Sequence, residues 1–139
     1  MGVHGSITAI YTVLVDGDDM NEPIADAVRG ILDGHVVLSR NLATANHFPA
    51  VDVLESVSRL TNEICTSEEI ATTAQARDLL ALYRKHEDLI TIGAYTMGQN
   101  QKLDLAVKKH GDIMEFLRQK IAAKCPRSES FAKLKAILS

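Results

Sequence analysis

SRNLATANHFPAVDVLESVSRL, Ser39–Leu60, decides how the rest of the sequence reads. Ser39 can cap a short helix that ends near Asn46. Pro49 biases Phe48 away from helical backbone, so His47 to Val53 is predicted to be extended. The stretch puts an aromatic residue before a proline, Phe48-Pro49, eleven positions ahead of Arg59. That arginine closes a small, hydroxyl-rich run, Ser56-Val57-Ser58-Arg59. By residue chemistry alone Phe48 reads as a packing residue and Arg59 as a surface or ion-paired one.

Upstream, SITAIYTVLV, Ser6–Val15, is apolar almost throughout and rich in β-branched residues, without polar alternation. That pattern predicts a strand buried on both faces, as in a parallel α/β sheet. Met1-Gly2-Val3-His4 reads as a start or cloning scar and carries no structural weight. The acidic turn DGDDMNEP, Asp16–Pro23, places Asn21 to cap a helix and Pro23 in its first turn. Ile24, Ala27, Val28 and Ile31 recur at helical spacing, and Asp33-Gly34 is expected to stop that helix. His35–Leu38 is a second short apolar run, so the order is strand, helix, strand, one α/β crossover unit. The first strand has no neighbours to pair with, which suggests the end of a larger α/β domain.

Downstream of Leu60 the sequence turns helical. Thr66 with Glu69 has the spacing of a capping box, opening a helix over about Ser67–Lys85 with Ala76, Leu79, Leu80 and Tyr83 on one face. Leu89–Gly93 and the Gly98 region mark a connection. Leu103, Ala106 and Val107 share a face on the next helix, which Gly111 is expected to stop. Asp112 then caps a further helix carrying Ile113, Leu117 and Ile121, ended by Pro126. Ser128 opens the last one, with Phe131, Leu134 and Leu138 on its apolar side. The expected domains are residues 1–62, the end of an α/β domain, and residues 63–139, a helical bundle, so that the chain is mostly helical overall.

A chain of 139 residues with 46% hydrophobic and 24% charged residues suits an ordered globular fold, of one domain or a small domain plus part of another. A net charge of -3 gives no reason to expect a nucleic-acid binder. Cys65 and Cys125 lie far apart without a CxxC, which fits a reduced protein better than a disulfide framework or zinc site. No apolar run reaches the ~18 residues that a membrane span needs.

Neither GxxxxGK[ST] nor GxGxxG occurs, so the chain does not by itself cradle nucleotide phosphates in the P-loop manner. The acidic turn has carboxylates in plenty but lacks the alternation, central glycine and twelfth-position glutamate of a calcium loop. It reads as solvated or partner-facing. The histidines at 4, 35, 47, 86 and 110 form no HExxH, and no GxSxG supports a serine nucleophile.

Taken together, GSITAIYTVLVDGDDMNEPIADAVRGILDGHVVLSR, Gly5–Arg40, resembles the flagellar type III export ATPases, relatives of the rotary ATP synthase catalytic subunits. The resemblance continues through HFPAVDVLESVSRL to IGAYTMGQ, Ile92–Gln99, and so covers nearly the whole chain. The ATPases of virulence-type injectisomes share ANHFPA and YTMGQ but usually lack the GDDMNEP form of the acidic turn.

The resemblance implies the final third of such a protein: the end of a RecA-like P-loop NTPase domain, downstream of its Walker A and Walker B segments, followed by a C-terminal helical bundle. It implies that Phe48 stacks on adenine, with Tyr83 bordering the same pocket, and that Arg59 is an arginine finger acting on a neighbouring subunit's nucleotide. Asp16, Asp18, Asp19, Asn21 and Glu22 would face a central stalk protein, and the short Cys65–Ile70 segment would replace a longer stalk-contact loop of the rotary synthases. ATP and Mg2+ would serve the whole homohexameric protein, with no metal held by this segment and no nucleotide expected on it alone. A regulator, export chaperones and substrates would be further partners. The place of action would be cytoplasmic, at the inner-membrane export apparatus. A docking platform formed by residues 63–139 is the alternative of a different class.

Overall fold

The computed structural model describes Gly5, residues 7–15, Gly17, Asp19 and residues 22–139. Two compact units emerge, Met1–Leu32 and Asp33–Ser139.

In the first unit, α1 spans Pro23–Ile31, with proline at the start and Glu22 at the N-cap without a side-chain cap bond. Asn21, expected to cap it, lies outside the described residues, as do Asp16 and Asp18. The helix ends at Ile31, with Leu32 as its extended C-cap, just before the expected Asp33-Gly34 stop. Of its apolar residues Ala25 is buried, whereas Ile24 and Ile31 are exposed.

The strand expected over residues 6–15 does not form: residues 7–15 take no regular structure, and Ile7, Ile10 and Leu14 stand in solvent. A strand buried on both faces needs partners for its N–H and C=O groups on two sides. Among the described residues none pairs with it, and the expected parallel crossover is therefore absent.

The second unit opens with a hairpin. β1 (Gly34–Leu38) and β2 (Val51–Ser58) pair antiparallel, with α2 (Arg40–Thr44) between them. Ser39 caps α2 by accepting from the Leu42 amide, as its position suggested. Gly34 is required where the strands meet at their far end: a Cβ there would lie 2.6 Å from the Val57 carbonyl oxygen. The extended run expected only to Val53 continues to Ser58 because Gly34 and His35 pair with Ser58 and Val57.

The short α3 (Thr61–Ile64) leads to a three-helix bundle of α4 (Ser67–Thr91), α5 (Gln101–Leu117) and α6 (Arg127–Leu138). The capping box is complete, Glu69 N–H donating to Thr66 Oγ1 at 3.2 Å and Thr66 N–H to Glu69 Oε2 at 2.8 Å. Asn100 caps α5 through the Lys102 and Leu103 amides. Gly111 does not stop α5, and Asp112 opens no new helix. Glycine costs only ~1 kcal/mol inside a helix, and the buried Ala106 and Ile113 on either side of Gly111 draw the helix through it. The helix ends instead at Leu117, leaving Ile121 fully exposed.

Ala76, Leu79, Leu80, Leu103, Ala106, Ile113, Leu134 and Leu138 form the core, with Val53 and Leu54 of β2 packed against it. Arg127, at the start of α6, donates to the Ile64 carbonyl and pairs with Glu69 at 2.8 Å, while Lys109 of α5 donates to the carbonyls of Ile137 and Ser139. The chain is thus an α/β segment followed by an all-α bundle, mostly helical.

Candidate functional site

The hairpin register creates the central feature. Val37 pairs with Asp52 and His35 with Val57, so the single residue Val36 lies opposite four residues, Val53 to Ser56. A bulge of this kind removes backbone groups from the ladder and leaves them to be satisfied elsewhere.

Side chains take them up. Arg77 of α4 donates through Nη1 to the Val53 carbonyl and to the Ser56 carbonyl at 3.3 Å, and through Nη2 to the Leu54 carbonyl at 3.1 Å. The fourth carbonyl, Glu55, lies 3.1 Å from His35 Nε2, a geometry that suits the tautomer with its proton on Nε2. Ser56 Oγ accepts from the Val37 amide and donates to the Asp52 carbonyl at 2.6 Å. Asp52 Oδ1 accepts from the amides of Leu54 and Glu55.

About two turns further along α4, Arg84 donates to both Asp52 oxygens at 3.0 and 2.9 Å and comes within 3.6 Å of Glu55. Burial would raise the Asp52 pKa, but Arg84 and the two backbone amides outweigh it and hold the carboxyl below its ordinary value. A rigid fork of donors is what several carbonyls at one bulge require, and arginine supplies it.

Arg59 follows β2 directly. Its amide donates to the Asp33 carbonyl at 2.8 Å, fixing the backbone from which its exposed side chain extends. Phe48 precedes β2 and is 53% exposed, enough to offer a ring face for stacking. Its carbonyl accepts from the Gln119 amide at 2.9 Å, just past α5. Asn46, two residues earlier, adopts φ 56°, a left-handed conformation that asparagine tolerates.

Beside Phe48, His47 is only 1% exposed, and its Nδ1 has no hydrogen-bond partner. Burial lowers its pKa, the nearby Arg118 lowers it further, and Glu115 opposes both. Tyr83 stacks on His110 with ring centroids 3.5 Å apart, so one face of its ring is occupied between α4 and α5. Burial likewise lowers the His110 pKa, against an opposing pull from Glu87.

Asp19 is exposed, and its carbonyl accepts from the Glu22 amide at 3.1 Å. Both cysteines are free thiols. Among the described residues no three His, Cys, Asp or Glu side chains gather to hold a metal ion, and no helix is long and apolar enough to cross a membrane.

Sequence reasoning missed Arg77, Arg84 and His47. A signal for the arginines was present: residues seven apart share one face of a helix, and Arg77 borders the buried Ala76 and Leu80.

Residues 1–58 match the ATP synthase alpha/beta family, nucleotide-binding domain, and residues 65–136 match the T3SS EscN ATPase C-terminal domain. The first match relates residues 1–58 to the nucleotide-binding domains of the ATP synthase alpha/beta family. By the second, which spans more than half of its length, the chain belongs to the T3SS EscN ATPase C-terminal domain family.

It is 50% identical over 134 residues to the flagellum-specific ATP synthase of Bacillus subtilis, covering 96% of this chain and 31% of that protein. It is 49% identical over 139 residues to the SPI-2 type 3 secretion system ATPase of Salmonella typhimurium, covering 100% of this chain and 32% of that one. The assembled ATPase EscN of the enteropathogenic E. coli type III secretion system superposes with a TM-score of 0.93 at 44% identity, over 97% of this chain and 33% of that one. EscN in complex with its central stalk EscO gives 0.86 at 43%, over 97% and 32%. The chain thus spans about a third of the length of these relatives.

Proposed function

We propose that this chain is the C-terminal part of a homohexameric ATPase that energises flagellar type III protein export, and that it supplies two groups to two different nucleotide sites. Phe48 stacks on the adenine of its own subunit's ATP, with Tyr83 at the edge of that pocket. Arg59 reaches the γ-phosphate bound by the neighbouring subunit and offsets the charge that develops during phosphoryl transfer.

The observation that carries this reading is the combination in Ser39–Leu60 of a half-exposed aromatic before β2 and an exposed arginine anchored just after it, in a chain of this ATPase family. These residues suit the two ends of a bound nucleotide. The cradle for the phosphates lies elsewhere in the whole protein, since this chain has no P-loop sequence. Mg2+, held with the phosphates elsewhere in the whole protein, would neutralise charge on the β- and γ-oxygens.

On this reading residues 1–62 end the nucleotide-binding domain and residues 63–139 form the helical one. The chain alone hydrolyses no ATP. Asp16, Asp18, Asp19, Asn21 and Glu22 face a central stalk protein, in keeping with the EscN–EscO complex. A regulator, export chaperones and substrates dock on the helical domain. The protein works in the cytoplasm, held peripherally at the inner-membrane export apparatus, without nucleic acid.

The test is Arg59→Ala in the full-length enzyme. Turnover should drop by ~10³ to 10⁵ while nucleotide binding is kept; an unchanged rate removes Arg59 from the mechanism. A second reading, an injectisome ATPase, draws on the near-equal identity to the SPI-2 enzyme. Restoring motility rather than secretion in strains lacking one ATPase or the other separates the two.

A further inference from the structure

We infer that Arg77 is a positioning residue for Arg59, holding the β2 bulge in the one shape that presents the arginine finger. The inference rests on the reading of Arg59 given above. Its physical basis is independent of that reading.

Four consecutive carbonyls, Val53 to Ser56, lie opposite a single residue of β1. Left without donors in a partly buried site, they would seek water or ladder partners, and the strand would rearrange. Arg77 satisfies three of the four with one guanidinium. The last of them, Ser56, lies three residues before Arg59.

The finger's own backbone is fixed by the Asp33 carbonyl, reached through β1, and β1 meets β2 again only beyond the bulge, at His35–Val57 and Gly34–Ser58. A relaxed bulge would therefore slide the pairing on which the placement of Arg59 depends. A one-residue slip turns each side chain to the opposite face.

Arg77 belongs to α4, which also supplies Ala76, Leu79 and Leu80 to the bundle core. The clamp therefore ties the finger strand to the helical bundle. Any displacement of α4 along β2 would be felt at Arg59 before it was felt at Phe48, which lies ahead of the bulge and bonds to Gln119 instead.

Lysine in place of Arg77 keeps the charge and most of the stem but cannot span three diverging carbonyls. In the full-length assembled enzyme, Arg77→Lys should lower kcat for ATP hydrolysis tenfold or more with the KM for ATP within twofold. Hydrogen exchange at the amides of residues 53–59 should quicken while that of α5 stays the same.

The decisive measurement is the double variant. If Arg77 acts through Arg59, Arg77→Lys should cost little further in an Arg59→Ala background. Losses that multiply, or a kcat unchanged by Arg77→Lys while Arg59→Ala is crippled, overturn the positioning role and leave the finger reading standing. An Arg59→Ala enzyme that turns over normally overturns both. Should Arg77→Lys fail to assemble, the same cycle with Arg77→Gln, which keeps a planar donor group, decides the matter by the same outcomes.

Discussion

In residues 7–31, Ile7, Ile10, Leu14, Ile24 and Ile31 stand in solvent, whereas in the α4–α5–α6 bundle Leu79, Leu103, Ala106, Ile113 and Leu134 are buried. Apolar content is high in both regions, so content does not explain the difference. In the bundle each apolar stripe meets another from a helix close in sequence, and caps at Thr66 and Asn100 set where those helices begin. In residues 7–15 the side chains have the right character for a buried strand, but no described segment offers the backbone partners such a strand requires. A helix satisfies its own backbone and needs only side-chain neighbours; a strand needs both.

The largest effect that could break this comparison is expected at Ile113, which is 1% exposed. In urea unfolding of the 139-residue chain, Ile113→Ala should cost about 2–5 kcal/mol through lost burial and the cavity left behind. Ile31→Ala, at a residue 81% exposed, should change stability by less than about 0.5 kcal/mol. Comparable costs at the two sites would show that α1 is packed like the bundle helices.

What was legible in the sequence follows the same division. The capping box at Thr66, the core face of α4 and the apolar residues of α6 were all readable, because each signal lies within one or two helical turns. The cap at Ser39 and the extended run after Pro49 were readable for the same reason. Gly111 misled because a local stop signal competed with Ile113, whose burial depends on other helices. The strand over residues 6–15 failed because pairing is not a local property. Phe48 and Arg59 were singled out through family resemblance, their own chemistry favouring bland roles. Arg77 escaped notice because its importance comes from a bulge whose register joins residues distant in sequence, such as His35 and Val57. The seven-residue spacing of Arg77 and Arg84 marks one face of α4, but nothing in α4 alone points to the bulge carbonyls that face it on another element.

A smaller effect should sharpen the contrast at the helix starts. Thr66→Ala removes the acceptor for the Glu69 amide and should cost about 1 kcal/mol. Glu22, at the N-cap of α1, makes no side-chain cap bond, so Glu22→Ala should stay within about 0.5 kcal/mol. A Glu22→Ala loss equal to that of Thr66→Ala, read from chemical denaturation midpoints at constant m-value, would mean that α1 starts as firmly as α4.

The smallest effect is expected from pH. His47 and His110 both lie in the second unit, and both have pKa values lowered by burial. Residues 7–31 contain no histidine. Because the folded state holds each imidazole below its ordinary pKa near 6.5, the unfolded chain takes up protons first as the pH falls. Stability is therefore greatest above about pH 6.5 and declines below it as protons bind preferentially to the unfolded state. Arg118 adds to this at His47, and Glu115 there and Glu87 at His110 work against it. Denaturation midpoints followed from pH 7 to about 5.5, above the range where most carboxylates titrate, should fall modestly. Substituting His47→Asn or His110→Asn should flatten the decline, each removing its own share. A midpoint that rises over this interval, or a slope that both substitutions leave intact, would assign the pH response to other groups and cut its link with the buried bundle.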